Sequence, residues 1–172
     1  MQVVTPYNEA ILKKYPEQVV IVLVKEKSGR VNPISIGWIM PTSHMPPMLA
    51  FSVGKTRYSL GAIRETGEFV IAFPSEKQGK ETLLFGTKSG RDTDKLVLSG
   101  VSTVPAQKVD CLLLDDAVAN FECRLVGEYT TGDHVIFVGE VLLAHVNPDS
   151  PERIYVVSKG YKMSGISAKI KF

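Results

Sequence analysis

The sequence predicts a mainly β domain in which antiparallel strands form a closed or partly closed barrel, with short helices at its periphery. Strand-like segments outnumber helix-compatible ones along the 172 residues, and short turns connect them. The clearest strand, residues 119–125, alternates strictly between apolar and polar side chains, which is typical of a half-buried antiparallel strand. A chain of this length suits one domain, over residues 1–172, with a sizeable core.

Four strands are predicted in the first half of the chain, at residues 19–25, 31–40, 48–53 and 69–73. The first is mostly apolar, and a turn at Ser28-Gly29 leads into the second. In the second strand, Ile34, Ile36 and Trp38 alternate with polar or bare positions, as one face of a sheet requires.

Three prolines, Pro41, Pro46 and Pro47, follow the second strand. Proline lacks the amide donor of a β-ladder, so we expect the strand to give way to an irregular loop. Short polar side chains at positions 42–44 lie between the prolines. Polar groups on a loop held by a rigid sheet commonly build a ligand site, and an ordinary loop at a strand end is the alternative.

Three short helices are predicted between the strands. The first covers residues 60–65, with Ser59 placed as its N-cap. Residues 76–86 are helix-compatible and carry an apolar patch. Asp92 is placed as the cap of a third helix, which runs through position 98 and ends at Gly100.

The second half of the chain continues with an antiparallel hairpin. A glycine-containing loop at residues 130–133 leads into a return strand at residues 134–146. The return strand is apolar at nearly every position, which predicts burial on both faces. A turn at residues 148–151 precedes a last strand at residues 154–157, and we expect a mobile C-terminal tail over residues 159–172.

Composition excludes several classes of function. The net charge of +2, without a block of Lys or Arg, argues against binding to nucleic acid or to a membrane surface. The longest apolar stretches, residues 19–24 and 135–138, are far too short to cross a bilayer. The N-terminus has no basic-then-apolar signal pattern, so we expect a cytoplasmic protein.

The sequence offers no metal site and no activated nucleophile. Cys111 and Cys123 form neither a CxxC pair nor a zinc pattern, and Cys123 fits a buried strand position. His44, His134 and His145 lack metal-ligand spacing and an accompanying carboxylate cluster. No catalytic triad and no glycine-rich dinucleotide fingerprint is present, so we assign no general acid or base.

A basic turn precedes the first predicted helix. Residues 54–59 (GKTRYS) combine two cations with three hydroxyl groups, and the cations and the amides of the helix N-terminus could contact one phosphate. A nucleotide-triphosphate P-loop is rejected, because that motif needs glycine where this chain has Leu49. The alternative is a solvated basic turn with a routine cap.

Six motifs in one order give the chain a recognisable identity. They are the N-x-x-x-x-x-W spacing of Asn32 and Trp38, T-S-H-x-P-P at 42–47, S-x-G-K-x-R-x-S at 52–59, G-E-F-V-I at 67–71, S-G-R-D-T-D-K at 89–95 and G-D-H-x-x-F-V-G-E-V at 132–141. On these motifs the chain resembles the flavin reductase-like proteins of the FMN-binding split-barrel class, and more narrowly the flavoredoxin group. The resemblance extends from about residue 7 to the C-terminal tail.

The resemblance implies an antiparallel split β-barrel of Greek-key type with short peripheral helices. It also implies non-covalent FMN and a homodimer with the flavin close to the subunit boundary. The family places a tryptophan, a lysine and a histidine near the flavin, which here are Trp38, Lys95 and His134. The complete set of candidate cofactor-binding residues is Asn32, Ser35, Trp38, Thr42, Ser43, His44, Ser52, Lys55, Arg57, Ser59, Lys95 and His134.

Within this set we assign two groups of contacts. Asn32, Thr42 and Ser43 are candidates for the ribityl chain and the ring, whereas the phosphate candidates are Ser52, Lys55, Arg57 and Ser59. FMN is preferred to FAD because the basic turn resembles a terminal monophosphate anchor and no adenosine-binding pattern follows it.

The expected function is that of an FMN-binding flavoprotein, either an NAD(P)H-dependent flavin reductase-type oxidoreductase or a flavoredoxin. One alternative is an electron carrier that a donor protein reduces without NAD(P)H. The other is a non-redox barrel that holds a different phosphorylated ligand. The sequence leaves the electron donor and the final acceptor open.

Overall fold

The computed structural model describes residues 1–149 and 152–165, and it is dominated by antiparallel strands. The strands are β1 (Glu17–Gln18), β2 (Val20–Lys25), β3 (Val31–Ile36), β4 (Ile39–His44), β5 (Pro47–Gly54), β6 (Glu68–Phe73), β7 (Thr103–Pro105), β8 (Leu112–Leu114), β9 (Ala119–Thr131), β10 (His134–Val146), β11 (Ile154–Ser158) and β12 (Lys162–Gly165). The helices are α1 (Tyr7–Ala10), α2 (Ser59–Thr66), α3 (Gly79–Thr87) and α4 (Lys95–Ser99), with 3₁₀ turns at Ile11–Lys14 and Glu76–Gln78.

A seven-stranded sheet with the order β3-β2-β6-β9-β10-β5-β4 forms the framework. Every neighbouring pair in it is antiparallel. Its two edge strands are consecutive in the chain, because β3 ends at Ile36 and β4 begins at Ile39. That connection spans at most roughly 11 Å, so the sheet must curl until its edges approach each other. The predicted mainly β, split-barrel fold is confirmed.

The inside of the curled sheet is filled by aromatic and branched side chains. The rings of Phe51 and Phe69 pack edge to face with centroids 5.1 Å apart, and Phe137 packs 5.9 Å from Phe51. Gly139 makes this packing possible, because a Cβ there would lie 2.6 Å from Cζ of Phe69. These contacts supply the apolar burial that stabilises the barrel.

A second core lies on the outer face of the sheet. Ile21, Leu23 and Val70 pack there against Leu114 and against Phe85 of α3. Strand β2 is therefore buried on both faces. Strand β10, which we predicted to be buried on both faces, is not, since most of its residues beyond Gly139 are only partly covered and its outer face carries no helix in the described chain.

The prediction for residues 31–44 is wrong in two respects. The predicted single strand is broken at Gly37 and Trp38, and the predicted irregular loop is the edge strand β4, paired with β5. An edge strand can accept proline because one row of its amides has no partner to bond. Pro41 lies at a register shift of the β4–β5 pairing, and Pro46 occupies the connecting turn.

Both predicted helix N-caps are also wrong. Ser59 is the first residue of α2, and its Oγ accepts a hydrogen bond of 2.7 Å from Nδ2 of Asn32. The third helix begins at Lys95, where Oδ1 of Asp94, and not of Asp92, accepts from the backbone N–H of Val97. The predicted helix at 76–86 is a 3₁₀ turn followed by α3. The stop at Gly100 is confirmed, with φ of +65°.

The N-terminal segment pairs with the strands at the end of the described chain. A small sheet of order β1-β11-β12 joins the N-terminal segment to the C-terminal strands, with Glu17 opposite Val156. Part of the expected mobile tail, Lys162–Gly165, thus forms a paired strand, whereas residues 166–172 lie outside the described chain, as do residues 150 and 151 of the predicted turn.

The prediction that residues 119–125 form a half-buried strand is wrong for the polar face. Asn120 and Glu122 on that face are buried, and only Arg124 is exposed.

The fully buried carboxylate of Glu122 fastens the loop before β8 to the sheet. The Glu122 carboxylate accepts hydrogen bonds from the backbone N–H groups of Gln107, Lys108 and Val109, and its Oε1 lies 2.6 Å from Nε2 of His145. Burial opposes ionisation of Glu122, but the amides and His145 outweigh it and hold its pKa below the ordinary value.

Both cysteines are buried, as predicted for Cys123. Burial raises the pKa of each thiol to about 12, so neither is an activated nucleophile. In the described part of the chain, no helix is both long and apolar enough to cross a membrane. The same residues contain no group of three or more His, Cys, Asp or Glu side chains that could hold a metal ion.

Candidate functional site

A cavity of about 360 Å³ opens beside the break between β3 and β4. Helix α3 forms one wall, and the N-terminal segment and the β11–β12 pair form another. Among the predicted site residues, those that line it are Ser35, Trp38, Ser52, Arg57 and His134. The volume lies in the range of small-molecule and cofactor sites.

Trp38 and His134 form an aromatic wall of this cavity. Their ring centroids are 4.7 Å apart, and Nδ1 of His134 lies 2.7 Å from Oδ1 of Asp133. That hydrogen bond lowers the pKa of Asp133 and leaves Nε2 as the free ring nitrogen of the histidine. Trp38 is 49% exposed, so it is not a core anchor and can contact a ligand.

The same two rings border a second, more apolar groove of about 440 Å³ on the outer face of the sheet. Its floor is formed by β4, β5 and β10, with Met40, Ala50 and Ile136 among its lining residues. Ser52 and Asp133 add polar atoms to it. The aromatic pair therefore separates a polar cavity from an apolar groove.

A buried cation lies close to the first cavity. Lys95 is only 3% exposed, and its Nζ lies 3.4 Å from the carbonyl oxygen of Phe85. Burial, reinforced by the charges of Arg30 and Arg57, lowers the pKa of Lys95 to about 8. No carboxylate of the described residues forms an ion pair with Lys95 or Arg57. A cation buried without a counter-ion is costly. Lys95 together with Arg30 and Arg57, called the cationic cluster below, therefore favours an anionic ligand.

Next to this cluster lies an unsatisfied hydrogen-bond acceptor. Asn32 is buried and donates to Ser59, but its Oδ1 has no hydrogen-bond partner. Gly90 passes so close that a Cβ there would lie 2.1 Å from that oxygen. A buried polar atom without a partner calls for an explanation, and a ligand hydroxyl that donates to it is one.

Comparison with known proteins decides the family. The model of the flavin reductase like domain matches residues 12–164, which is nearly the whole chain. The chain belongs to the flavin reductase-like family. Membership supports a flavin-related redox activity and a flavin cofactor.

Two relatives of this flavin reductase-like chain show how similar it is in sequence to other proteins. An uncharacterized protein of Archaeoglobus fulgidus is 38% identical over 111 residues, which cover 64% of this chain and 63% of that protein. The NADH-dependent FMN reductase AsuE2 of Streptomyces nodosus subsp. asukaensis is 29% identical over 125 residues, which cover 70% of this chain and 65% of that enzyme. The matched segment thus spans slightly less than two thirds of either relative.

Solved structures agree with the fold. The flavoredoxin of Desulfovibrio vulgaris (Miyazaki F) has a TM-score of 0.86 at 21% identity, covering 99% of this chain and 97% of that one. The FMN-binding protein of Thermus thermophilus, with bound p-hydroxybenzaldehyde, has a TM-score of 0.88 at 22% identity, and the match covers 100% of this chain and 99% of that one. The NADH:FAD oxidoreductase SgcE6 of Streptomyces globisporus C-1027 has a TM-score of 0.81 at 23% identity, and the match covers 97% of this chain and 98% of that one.

Four of the predicted site residues of this flavin reductase-like chain line neither cavity and do not belong to the buried group formed by Asn32, Ser59 and Lys95. The end of β4, next to the exposed turn, contains Thr42, Ser43 and His44. There the Ser43 hydroxyl accepts a hydrogen bond from the backbone N–H of Met45. Lys55 is exposed, and its backbone N–H donates to the carbonyl of Asp133. Their role as flavin contacts remains a prediction.

Other residues that line the cavity were not predicted from sequence. They are Lys14, Tyr15, Glu17, Thr82, Leu83, Gly86, Thr87, Tyr161 and Met163, together with further apolar residues. They reach the cavity through the pairing of β1 with β11 and the packing of α3 on β3. No local motif signals such long-range pairing, so sequence reasoning of this kind could not find them.

Proposed function

We propose that this protein is an FMN-dependent oxidoreductase that binds FMN non-covalently and takes electrons from NAD(P)H, as a flavin reductase-type enzyme does. A bound flavin supplies the redox chemistry itself, since the isoalloxazine ring accepts hydride or electrons. The protein then has to anchor a phosphate, hydrogen-bond the ring and exclude water. The residues around the cavity suit these three tasks.

The observation that carries the proposal is the pairing of a cationic cluster with an aromatic wall around one cavity. Lys95 and Arg57 form a positive region without an ion-paired carboxylate among the described residues, which suits the phosphate. Arg30 adds to it only in part, because its guanidinium is paired with Glu26. Trp38 and His134, whose ring planes are inclined by 37°, offer aromatic faces for a ring system. A phosphorylated ligand with a planar ring combines both requirements.

The hydroxyl-bearing part of the ligand has its own candidate contacts. Ser35 and Ser52 line the cavity. The unsatisfied Oδ1 of Asn32 is buried against Gly90, and it would accept a hydrogen bond from a ligand hydroxyl once that segment moves aside. The Asn32 side chain is already fixed by its hydrogen bond to Ser59, so the acceptor is preorganised. This donor and acceptor set fits the ribityl chain of FMN.

Similarity to known proteins supports the choice of cofactor and electron donor. One similar structure is an FMN-binding protein, and one relative is an NADH-dependent FMN reductase. The similar SgcE6 protein is an NADH:FAD oxidoreductase, so FAD is the competing cofactor. The cationic region around buried Lys95 and exposed Arg57 favours FMN because it suits a terminal phosphate better than a bridging one.

We further propose that a second copy of the chain covers the apolar groove on the outer sheet face. The groove adjoins the cavity through Trp38 and His134, and Met40 beside it is 53% exposed. Apolar patches of this kind on a soluble chain mark interaction sites. A homodimer formed there would shield the cofactor from water at the subunit boundary.

The experiment is a spectroscopic one on the purified protein. After incubation with FMN and removal of free ligand, the protein should be yellow, and NADH or NADPH added without oxygen should bleach the flavin absorbance. Bound flavin that neither nucleotide bleaches would instead indicate an electron carrier reduced by a donor protein. A protein that stays colourless would contradict flavin binding and favour another phosphorylated ligand.

A further inference from the structure

A partly buried ion pair lies on the cavity wall outside the cationic cluster. Nζ of Lys14 is 2.6 Å from Oε2 of Glu17, and their side chains are only 27% and 16% exposed. Lys14 ends a 3₁₀ turn and Glu17 begins β1, and both line the cavity. Charged side chains are seldom withdrawn from water without a structural or functional reason.

The position of this pair is fixed from two sides. The backbone of Glu17 is paired with Val156 in the small sheet. Its carboxylate lies so close to Gly37 that a Cβ there would be 3.0 Å from Oε1, and Nζ of Lys14 is 5.6 Å from the Trp38 ring centroid. The break between β3 and β4 therefore holds the ion pair beside the indole.

The pair retains hydrogen-bonding capacity after its own contact is counted. An ammonium group has three donors, and a carboxylate has four lone-pair positions. One donor and one acceptor thus lie side by side next to an aromatic face. The matching ligand group is the edge of a flat ring that presents a carbonyl oxygen next to an N–H, as an imide does.

We propose that Lys14 and Glu17 recognise the imide edge of the flavin ring, with Lys14 donating to a ring carbonyl and Glu17 accepting from the ring N3–H. The inference rests on the proposed function, because it assumes that the cavity holds a flavin. It adds two ring-specific contacts that the phosphate cluster cannot provide. It also accounts for a charged pair next to Trp38 on the wall of a cofactor cavity.

The test compares riboflavin with 3-methylriboflavin, neither of which carries a phosphate, by titration of flavin fluorescence. N3-methylation removes the proposed donor to Glu17, so it should weaken binding to the unaltered protein about ten- to a hundredfold. In Glu17→Ala the two flavins should bind within about threefold of each other. Glu17→Gln keeps an acceptor oxygen, so the preference for riboflavin should persist.

The lysine has a separate signature and a matched control. Lys14→Met should weaken both flavins by the same factor, because the carbonyl that it contacts is present in each. Lys13→Met changes an exposed neighbour and should alter neither affinity. The ratio between the two flavins is defined within each variant, so a general loosening of the N-terminal segment cannot produce the expected pattern.

Two results would overturn the inference. If N3-methylation weakens binding in Glu17→Ala as much as in the unaltered protein, Glu17 does not contact N3 and the ion pair only holds the N-terminal segment. If N3-methylation has no effect in the unaltered protein, the imide edge lies elsewhere. Failure of every flavin, FMN included, to bind the unaltered protein is a different outcome, which would contradict the proposed function itself.

Discussion

Lys95 is the residue whose environment departs most from that of an ordinary surface lysine. Its pKa is lowered from an ordinary value of 10.5 to about 8, mainly by burial and also by the charges of Arg30 and Arg57. Between these two values the unfolded chain binds more protons than the folded chain, so folding becomes more favourable as pH rises. The charge is tolerated in the folded state because, in our proposal, a phosphate neutralises it.

This gives a pH-dependent prediction for the ligand-free protein. Lys95 should contribute a rise in the free energy of unfolding between about pH 8 and 10.5, and Lys95→Met should lack that contribution while being more stable at pH 7. The quantity to measure is the difference between the two proteins, because the buried thiols of Cys111 and Cys123 act in the opposite direction above pH 9.0. FMN affinity should fall over the same pH range as Lys95 loses its proton. Urea unfolding of both proteins at several pH values measures the first effect, and a difference between them that does not change with pH would count against a buried charged lysine.

Arg57 tests the phosphate assignment more directly. Arg57→Ala should remove charge-assisted hydrogen bonds worth about 1.5–3 kcal/mol and so weaken FMN roughly ten- to a hundredfold. Riboflavin, which lacks the phosphate, should be affected far less. Arg64→Ala is a suitable control, because Arg64 is paired with Glu128 at the surface. Equal weakening of both ligands by Arg57→Ala would mean that the phosphate lies elsewhere.

At the scale of elements, Glu122 joins a loop to two strands. Glu122→Gln replaces a carboxylate that accepts from Gln107, Lys108 and Val109 and lies 2.6 Å from Nε2 of His145. We expect a loss of about 2–4 kcal/mol in the free energy of unfolding. Glu140→Gln, which disturbs an exposed pair with Arg124, should cost less than about 1 kcal/mol.

The pH dependence of this contact has a defined sign. The pKa of Glu122 is held below its ordinary value, so its stabilising contribution is complete above the ordinary pKa of the unfolded chain. It is lost as pH falls through the lower pKa of the folded state. Glu122→Gln should therefore lose less stability on acidification than the unaltered protein. Parallel acid profiles for the two proteins would contradict this account.

The elements differ in how far the sequence could predict them. The antiparallel strand at residues 119–125 and the helix stop at Gly100 are local signals, and both predictions are confirmed. The predicted half-burial of that strand is wrong, because Asn120 and Glu122 are covered by β8 and the segment that leads to it. At the strand break, Gly37 lies against Glu17 from another part of the chain, a contact that the local sequence pattern does not show. Ser59 has the chemistry of a cap, but its hydroxyl is used by Asn32. The wrong predictions at Gly37 and Ser59 both involve contacts between distant parts of the chain, which a local pattern does not show.

At the scale of the whole molecule, motif order predicted the family, and the family model confirms it. Five of the twelve predicted site residues line one cavity, because the strands that carry them curl around it. The wall formed by the N-terminal segment and the β11–β12 pair could not be predicted, since it depends on the pairing of β1 with β11. The assignment of one domain over residues 1–172 remains a prediction.

The proposed homodimer leads to a prediction about the oligomeric state of the whole molecule. Light scattering at micromolar concentration should give twice the mass of the chain. Met40→Lys, which places a charge in the apolar groove, should yield monomers that bind FMN more weakly. Leu98→Lys is the matched control, because Leu98 is 56% exposed on α4, outside the groove, against 53% for Met40. A monomer that retains FMN at full affinity would contradict the shielding role of the second copy.

The most direct test of the central claim is the identity of the ligand that the purified protein retains after incubation with equal amounts of FMN and FAD. Mass spectrometry of the supernatant after denaturation should show FMN, in an amount close to one per chain. Finding FAD would contradict the terminal-phosphate assignment, and finding no flavin would contradict the assignment of the cavity as a cofactor site.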